Sequence, residues 1–558
     1  MSGSGPIWRA RRKQRADGTG IFSRAILSGC FGDRTGSRTG CSGVVPRIIR
    51  RVFAMKRLPF FTLLLVTLLV SGRPAEARQD TGLRAQKAHE LSPHDHQQTV
   101  EGAVRIKGEL VEYTATFGKQ PVYDEDGNMS AGLFYTFYER TNGAPNVERP
   151  LVISFNGGPG SASVWMHIGY TGPKRLIIDA EGYPVQPYGI RDNEHSILDV
   201  ADIVFVNPVN VAFSRVAEGV EPEQFFGVNE DVAYLADWID TFVTRHGRWT
   251  SPKFLIGESY GTTRVSGLAG RLQGSHWMYL NGVILVSPTG LGVDRDGPVR
   301  AANYLPYYAA TAWYHGQLDA DLQSRDLDDL LPEVEAWTLD VFLPAIARGG
   351  ALEVAQREDV ARIAARYAGL DPEDFLQHNL QVPTSYFWKD LLRDEGLTVG
   401  RLDSRYRGID RQDAGVRYDF DPALTAWNHA FAPAINHYLR EELGYETELK
   451  YNVFGPVSPW NRDGDNTGEQ LRQAMAQNPY LHVMVQAGYF DGGTDYFNAK
   501  YTMWNMDPSG DMQERMAFKG YRSGHMMYLR DEDLVSSNQD IREFIRESVL
   551  SGTASARY

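Results

Sequence analysis

Cysteine is almost missing from this 558-residue chain: there are two, Cys30 and Cys41. Everything beyond them is therefore without disulfides, thiol nucleophiles or thiolate metal sites. No cysteine follows the apolar run Leu58 to Val70, which excludes lipid attachment at that point. Long hydrophobic runs are lacking too: that run is 13 residues, short of the ~20 that span a bilayer. Positive charge is scarce outside the front of the chain. Residues 1–77 carry 14 Lys/Arg against 3 Asp/Glu, so a whole-chain charge of −13 leaves −24 on residues 78–558. An acidic body repels phosphate backbones, which argues against nucleic acid as a partner. No repeat period is visible.

What is present begins with a processing signal. "MKRLPFFTLLLVTLLVSGRPAEAR" places Lys56 and Arg57 before the apolar run and Ala75-Glu76-Ala77 after it. This reads as a secretory signal peptide over 55–77, cut after Ala77, and predicts an exported protein, periplasmic or secreted, with no stable membrane anchor. Residues 1–54, Arg- and Gly-rich without apolar period, read as an extension upstream of the true start at Met55. The polar stretch 78–98 reads as a disordered tail, as does 551–558. His94 and His96 stand two apart in that first tail, a spacing a metal could use, but two histidines in a solvated tail imply no metal site. Some 480 residues at an overall 42% apolar content can supply the core that replaces disulfides.

Past residue 99 the pattern alternates. "VEYTATF" and "GLFYTFYER" read as strands around the turn "DEDGN". "PLVISF" (150–155), "DIVFVNP" (202–208), "KFLIG" (253–257) and "LNGVILVSPTG" (280–290) are short continuous apolar runs. Between them "DVAYLADWIDTFVTRHG" and "YGTTRVSGLAGRL" carry helical spacing. Strand-helix alternation with continuous apolar strands predicts an α/β fold, a mostly parallel sheet covered on both faces. Residues 291–475 break the rhythm and read as a mainly helical cap inserted between core parts 99–290 and 476–550. The alternation resumes with "LHVMVQAG" (481–488), "FNAKYTMWNM", "MAFKGY" and "QDIREFIRESVL".

"FLIGESYGTTRVSG" (254–267) sets Ser259 between Gly257 and Gly261 where a strand becomes a helix. A G-x-S-x-G there is a nucleophile elbow: the turn is so sharp that a Cβ two residues either side would clash, and it lifts the hydroxyl above the sheet. Alone, the motif could be an ordinary tight loop; the flanking strand and helix raise it above that. A serine needs a base, and the base an orienting acid. Among the later histidines (His276, His315, His378, His429, His437, His482, His525), only His525 follows a final strand in a Gly-led loop, "YRSGHMMY". "AGYFDGGTDYF" offers Asp491 and Asp495, with Asp491 preferred because it stands at a strand's carboxyl end. An oxyanion hole needs two N–H donors. Tyr260 supplies one, and the loop "FNGGPGSAS" (155–163) the other, through Gly158 or else Gly157.

Together "NGGPGSAS", "NEHSILDVADIVFVNPVNVAFSR", "GESYG", "GYFDGGTDYF" and "GHMMY", in this order over about residues 100–545, resemble the serine carboxypeptidases (S10 peptidases), most of all the bacterial disulfide-free branch. The resemblance implies an α/β-hydrolase fold with a helical insertion over the site. It implies release of C-terminal residues from peptides through a Ser-His-Asp triad, without cofactor or metal, the partners being peptides with a free C-terminus. It also implies that Asn156 and Glu258 bind the substrate carboxylate, which Glu258 can do only while protonated. This chain departs from the family at Ser154, where Trp is common, and at Tyr170, where a second carboxylate-binding glutamate is usual. Ser161 replaces a Cys, and "NPVN" carries Asn207 and Asn210 where the family has "DQPVG". These departures leave the triad intact and the carboxylate clamp less complete. A serine esterase or acyltransferase, a dipeptidase, and a non-catalytic exported binding protein on the same fold are the competing readings.

Overall fold

The computed structural model describes residues 95–145 and 148–549, all within the unit Pro74–Tyr558. The upstream extension, the signal peptide, the final tail, both cysteines and His94 lie outside the described residues.

Nine strands make the spine: β1 (His96–Ile106), β2 (Glu109–Tyr123), β3 (Met129–Arg140), β4 (Leu151–Phe155), β5 (Asp202–Val206), β6 (Lys253–Glu258), β7 (Gly282–Val286), β8 (His482–Gly488) and β9 (Met516–Tyr521). Their spatial order is β1-β2-β3-β5-β4-β6-β7-β8-β9, and the short strand Arg215–Val216 pairs with β3 to complete a ten-stranded sheet. β1, β2 and β3 form an antiparallel meander, and β3 meets β5 antiparallel. From β5 to β9 every pairing is parallel. This is the α/β-hydrolase arrangement expected from the sequence, with two strands more than the motifs indicated, β1 and Arg215–Val216. β1 begins at His96, so the described end of the expected tail belongs to the sheet, and His96 is exposed there.

The apolar runs are continuous because each strand feeds two cores. Val152, Ile203, Phe254, Ile256 and Ile284 point to one face. Leu151, Ile153, Val204, Leu255 and Val283 point to the other. That is the two-residue period of a strand buried on both sides. Helices α1 (Val228–Arg245) and α2 (Tyr260–Ser275) cover the second face.

The inserted region resolves into parts with different loyalties. Helices α3 (Leu305–Tyr314), α4 (Leu327–Trp337), α5 (Val354–Ala368) and α6 (Thr384–Asp390) bury Tyr308, Val334, Ala364 and Phe387 in a core of their own. Helix α7 (Pro422–His437) instead sends Trp427, Phe431 and Ile435 into the first sheet core. Helix α8 (Thr467–Gln477) runs across the boundary read at 475, and its Leu471, Ala474 and Met475 join the second sheet core. Helices α9 (Tyr496–Met506) and α10 (Asp531–Ser548) complete the two coverings. Among the described residues no helix is long and apolar enough to cross a membrane.

Candidate active site

Parallel strands deliver their following loops to one edge, and the site residues read from the sequence sit on such loops, at a strand's last position or, for Tyr260, at the start of α2. Asn156 follows β4, Ser259 follows β6, Asp491 stands three residues past β8, and His525 four past β9.

Ser259 adopts φ 58° and ψ −127° before α2, a conformation that costs a non-glycine residue about 1–3 kcal/mol and marks functional turns. The flanking glycines are sterically required. A Cβ on Gly257 would lie 2.1 Å from the Gly261 carbonyl oxygen, and one on Gly261 2.8 Å from that of Phe155. The Gly-rich loop is pressed against this turn: a Cβ on Gly157 would stand 2.4 Å from the Tyr260 nitrogen and 2.9 Å from the Ser259 Cβ. Gly158 has φ +105°, a value open to glycine. Gly157, Gly158 and Ser259 line one cleft of about 240 Å³ with Glu258, Thr494 and His525.

A residue that sequence reasoning missed holds this loop in place. Arg264, on α2, is fully buried and donates to the Asn156 carbonyl at 2.6 Å and the Pro159 carbonyl at 2.8 Å. Its Nε pairs with buried Asp231 at 2.6 Å, whose other oxygen accepts from Tyr234. Removing either charge would strand its partner in the core, which costs about 3–5 kcal/mol.

Across the cleft, His525 Nδ1 lies 2.7 Å from Asp491 Oδ2. Asp491 also accepts from the Gly493 and Thr494 N–H groups at 2.8 and 3.1 Å. The Thr494 hydroxyl, a second missed participant, sits 2.7 Å from Asp491 Oδ2 and 2.9 Å from the Ser287 carbonyl. Burial would raise the Asp491 carboxyl, but the His525 charge and these hydrogen bonds outweigh it and hold it below its ordinary value. Burial would likewise depress His525, yet Asp491 prevails and the imidazole ends above its usual value. Asp495, the alternative acid, caps α9 through the Asn498 N–H at 2.9 Å and the Asn498 side chain at 2.7 Å. It is not joined to His525. The other histidines have different partners: His276 lies 3.0 Å from Asp240, and His315 2.6 Å from the Ser404 carbonyl. Ser259 and His525 share the cleft, and among the described residues no hydrogen bond joins the serine hydroxyl to the imidazole.

Glu258 is the site's second acid. It is 2% exposed, accepts from Asn156 Nδ2 at 2.9 Å, and takes a short hydrogen bond from the Tyr528 hydroxyl. Burial pushes its carboxyl up to about 7, against opposing pulls from His525, Tyr528 and Asn156. Tyr528 lies inside the quoted "GHMMY", but nothing in the sequence assigned it to Glu258. Tyr170, at the position of the missing second glutamate, is fully buried. Its hydroxyl donates to Gln486 at 2.8 Å and its ring stacks on Tyr528 at 4.4 Å. Ser154 is buried in β4, and Ser161 accepts from Trp165 at 2.9 Å. Asn207 braces the Gly-rich loop through the Ser163 N–H at 2.9 Å, while Asn210 reaches the Pro456 carbonyl at 3.2 Å.

Residues 122–329 match the family model for serine carboxypeptidase. Pheromone-processing carboxypeptidase KEX1 of Saccharomyces cerevisiae is 31% identical over 25% of this chain and 19% of its own length. Serine carboxypeptidase-like 36 of Arabidopsis thaliana is 30% identical over 25% of this chain and 28% of its own. Over these stretches the chain is similar to serine carboxypeptidases. The alignments span less than a third of these curated relatives. A crystal structure of the Saccharomyces cerevisiae KEX1 carboxypeptidase aligns over 78% of this chain and 92% of that one, at 13% identity and a TM-score of 0.46. The matched stretch holds Asn156, the glycines and the elbow, and it ends before Asp491 and His525.

The site holds no metal-type cluster: among the described residues no group of three or more His, Cys, Asp or Glu could hold an ion.

Proposed function

We propose that this chain is an exported serine carboxypeptidase that removes C-terminal residues from peptides through Ser259, His525 and Asp491. The observation that carries the reading is the pairing, in one cleft, of a strained serine turn with an imidazole held at 2.7 Å by a buried aspartate. Ser259 Oγ attacks the scissile carbonyl while His525 takes its proton. Asp491 fixes the imidazole's orientation and stabilises its cation. The N–H groups of Tyr260 and Gly158 receive the developing oxyanion. His525 then protonates the leaving amine, and water releases the acyl group by the same route in reverse.

Specificity for the chain end rests on Asn156 and Glu258. A carboxyl with a pKa near 7 stays protonated in mildly acidic solution and can donate to a substrate carboxylate. Once ionised it repels that carboxylate. Glu258 and His525 face each other electrostatically, so the pair titrates as a unit and the pH profile reports macroscopic values. Export rests on the signal read at 55–77.

The test is fluorophosphonate labelling of the parent and of Ser259→Ala, followed by hydrolysis of a peptide as free acid and as C-terminal amide. The reading requires labelling that depends on Ser259 and a strong preference for the free acid. Labelling with equal rates on acid and amide would make the protein a serine esterase or acyltransferase instead. No labelling would leave a binding protein.

A further inference from the structure

With Tyr170 turned into the core, the cleft lacks the second acid of the family's carboxylate clamp. What it has instead comes from the insertion. Arg401 lines the same cleft as Ser259 and Glu258, with its side chain 39% exposed. Its backbone is fixed: the Arg401 carbonyl accepts from the Gly492 N–H at 2.9 Å, and the next residue's carbonyl accepts from the His525 N–H at 2.7 Å. The guanidinium is therefore anchored beside both the acid loop and the histidine loop. Its charge is felt at His525.

The ion pairing of Arg401 within the chain is loose. Among the described residues one carboxylate comes within 4 Å of it, Asp421, at 3.8 Å from Nε. Asp421 is occupied elsewhere, capping α7 through the Ala423 N–H at 3.1 Å and accepting the Leu402 N–H at 3.3 Å. Tyr418, which hydrogen-bonds the guanidinium, and His525 are the other titratable groups near it. A guanidinium carries five donors in a planar fork matched to a carboxylate. Trp165, Leu424 and Phe454 give the same cleft apolar walls, and Arg401 is the permanent cation among its lining residues.

We propose that Arg401 is a specificity residue that binds a carboxylate of the substrate, either its terminal carboxylate or an acidic side chain beside the scissile bond. The proposal rests on the carboxypeptidase reading of the cleft. Its test uses four matched peptides, with Glu or Gln next to the scissile bond and with a free or amidated C-terminus. They are assayed with the full chain and with Arg401→Gln and Arg401→Lys. The quantity read is a ratio, so a merely structural loss, which lowers all four rates alike, does not mimic the effect. A fall of about tenfold in the acid-to-amide ratio of kcat/KM, mostly through KM, assigns Arg401 to the chain end. The same fall in the Glu-to-Gln ratio assigns it to the side chain. Arg401→Lys should recover part of either ratio, because charge remains while the fork is lost. Unchanged ratios in Arg401→Gln overturn the proposal. If the parent cleaves no peptide, the carboxypeptidase reading fails by itself. Arg401 is then judged on nitrophenyl hemisuccinate against nitrophenyl butyrate, where an unchanged ratio again overturns it.

Discussion

The two sides of the cleft are built in opposite ways. The serine side is local: strand β6, a turn and helix α2 follow one another within 253–275, and glycines at Gly257 and Gly261 are the sole residue type that fits. The acid and histidine side is assembled from a distance. Asp491 and His525 sit on separate loops, and segment 401–406 from the insertion laces them together. Ser404 N–H donates to the Phe490 carbonyl, Gly492 N–H to Arg401, and His525 N–H to Leu402. Asp403 accepts from Gly524 N–H at 3.3 Å. The proposed nucleophile is thus specified by a few adjacent residues, whereas the proposed base depends on a docked strap more than a hundred residues from the elbow.

The sharpest probe of the local side is Ser259→Ala, expected to lower kcat/KM by about 10³–10⁶-fold while leaving the fold intact. Steady-state kinetics beside an unchanged melting curve check it, and residual activity near the parent's would break the assignment.

Next in size comes the strap. Buried Asp403 holds Arg405 at 2.7 Å, so Asp403→Ala strands a buried cation and should cost about 3–5 kcal/mol in urea unfolding. If the two sides are built as described, activity should be lost at denaturant concentrations where α2 remains folded.

Glu258→Gln sharpens the comparison through pH. The folded carboxyl is raised from 4.5 to about 7, so the folded state holds this proton more tightly than the unfolded chain. The resulting stability is complete below about pH 4.5 and is lost as pH rises through about 7, on the order of 3 kcal/mol in all. The parent's Tm should therefore fall relative to Glu258→Gln between those pH values. Its kcat/KM on free-acid peptides should fall above pH 7, a limb the variant should lack. The same alkaline fall in both proteins would remove Glu258 from carboxylate binding.

Thr494→Val is the mildest test. It deletes one hydroxyl contact to Asp491 and leaves its two backbone N–H bonds. Loss of about 1 kcal/mol, or a few-fold in kcat with KM unchanged, is expected.

The elbow, the Gly-rich loop and the parallel core strands were legible because each is written in neighbouring residues: short continuous apolar runs, a glycine where a Cβ collides, a histidine after the last strand. β1 was overlooked because its alternation, Val100, Gly102, Val104 and Ile106, is diluted by polar residues on a half-exposed edge. The choice of Asp491 over Asp495 rested on position alone, and the helix cap made by Asp495 explains what the other aspartate is for. Thr494, Tyr528, Arg264 and Arg401 carried no signal. Tyr528 and Arg264 meet partners distant in the chain, and side-chain partnership across such a span leaves no periodicity to read.

The amino-acid order by itself determined which residue could be the nucleophile and what kind of sheet would carry it, since sterics at a tight turn and apolar patterning act between near neighbours. Only the tertiary structure decided that burial would outweigh the pulls of His525, Tyr528 and Asn156 and raise the Glu258 carboxyl to about 7, and that Arg401 would line the same cleft as Ser259. Desolvation and charge depend on what the folded chain packs around a group, and that is a property of the whole enclosure.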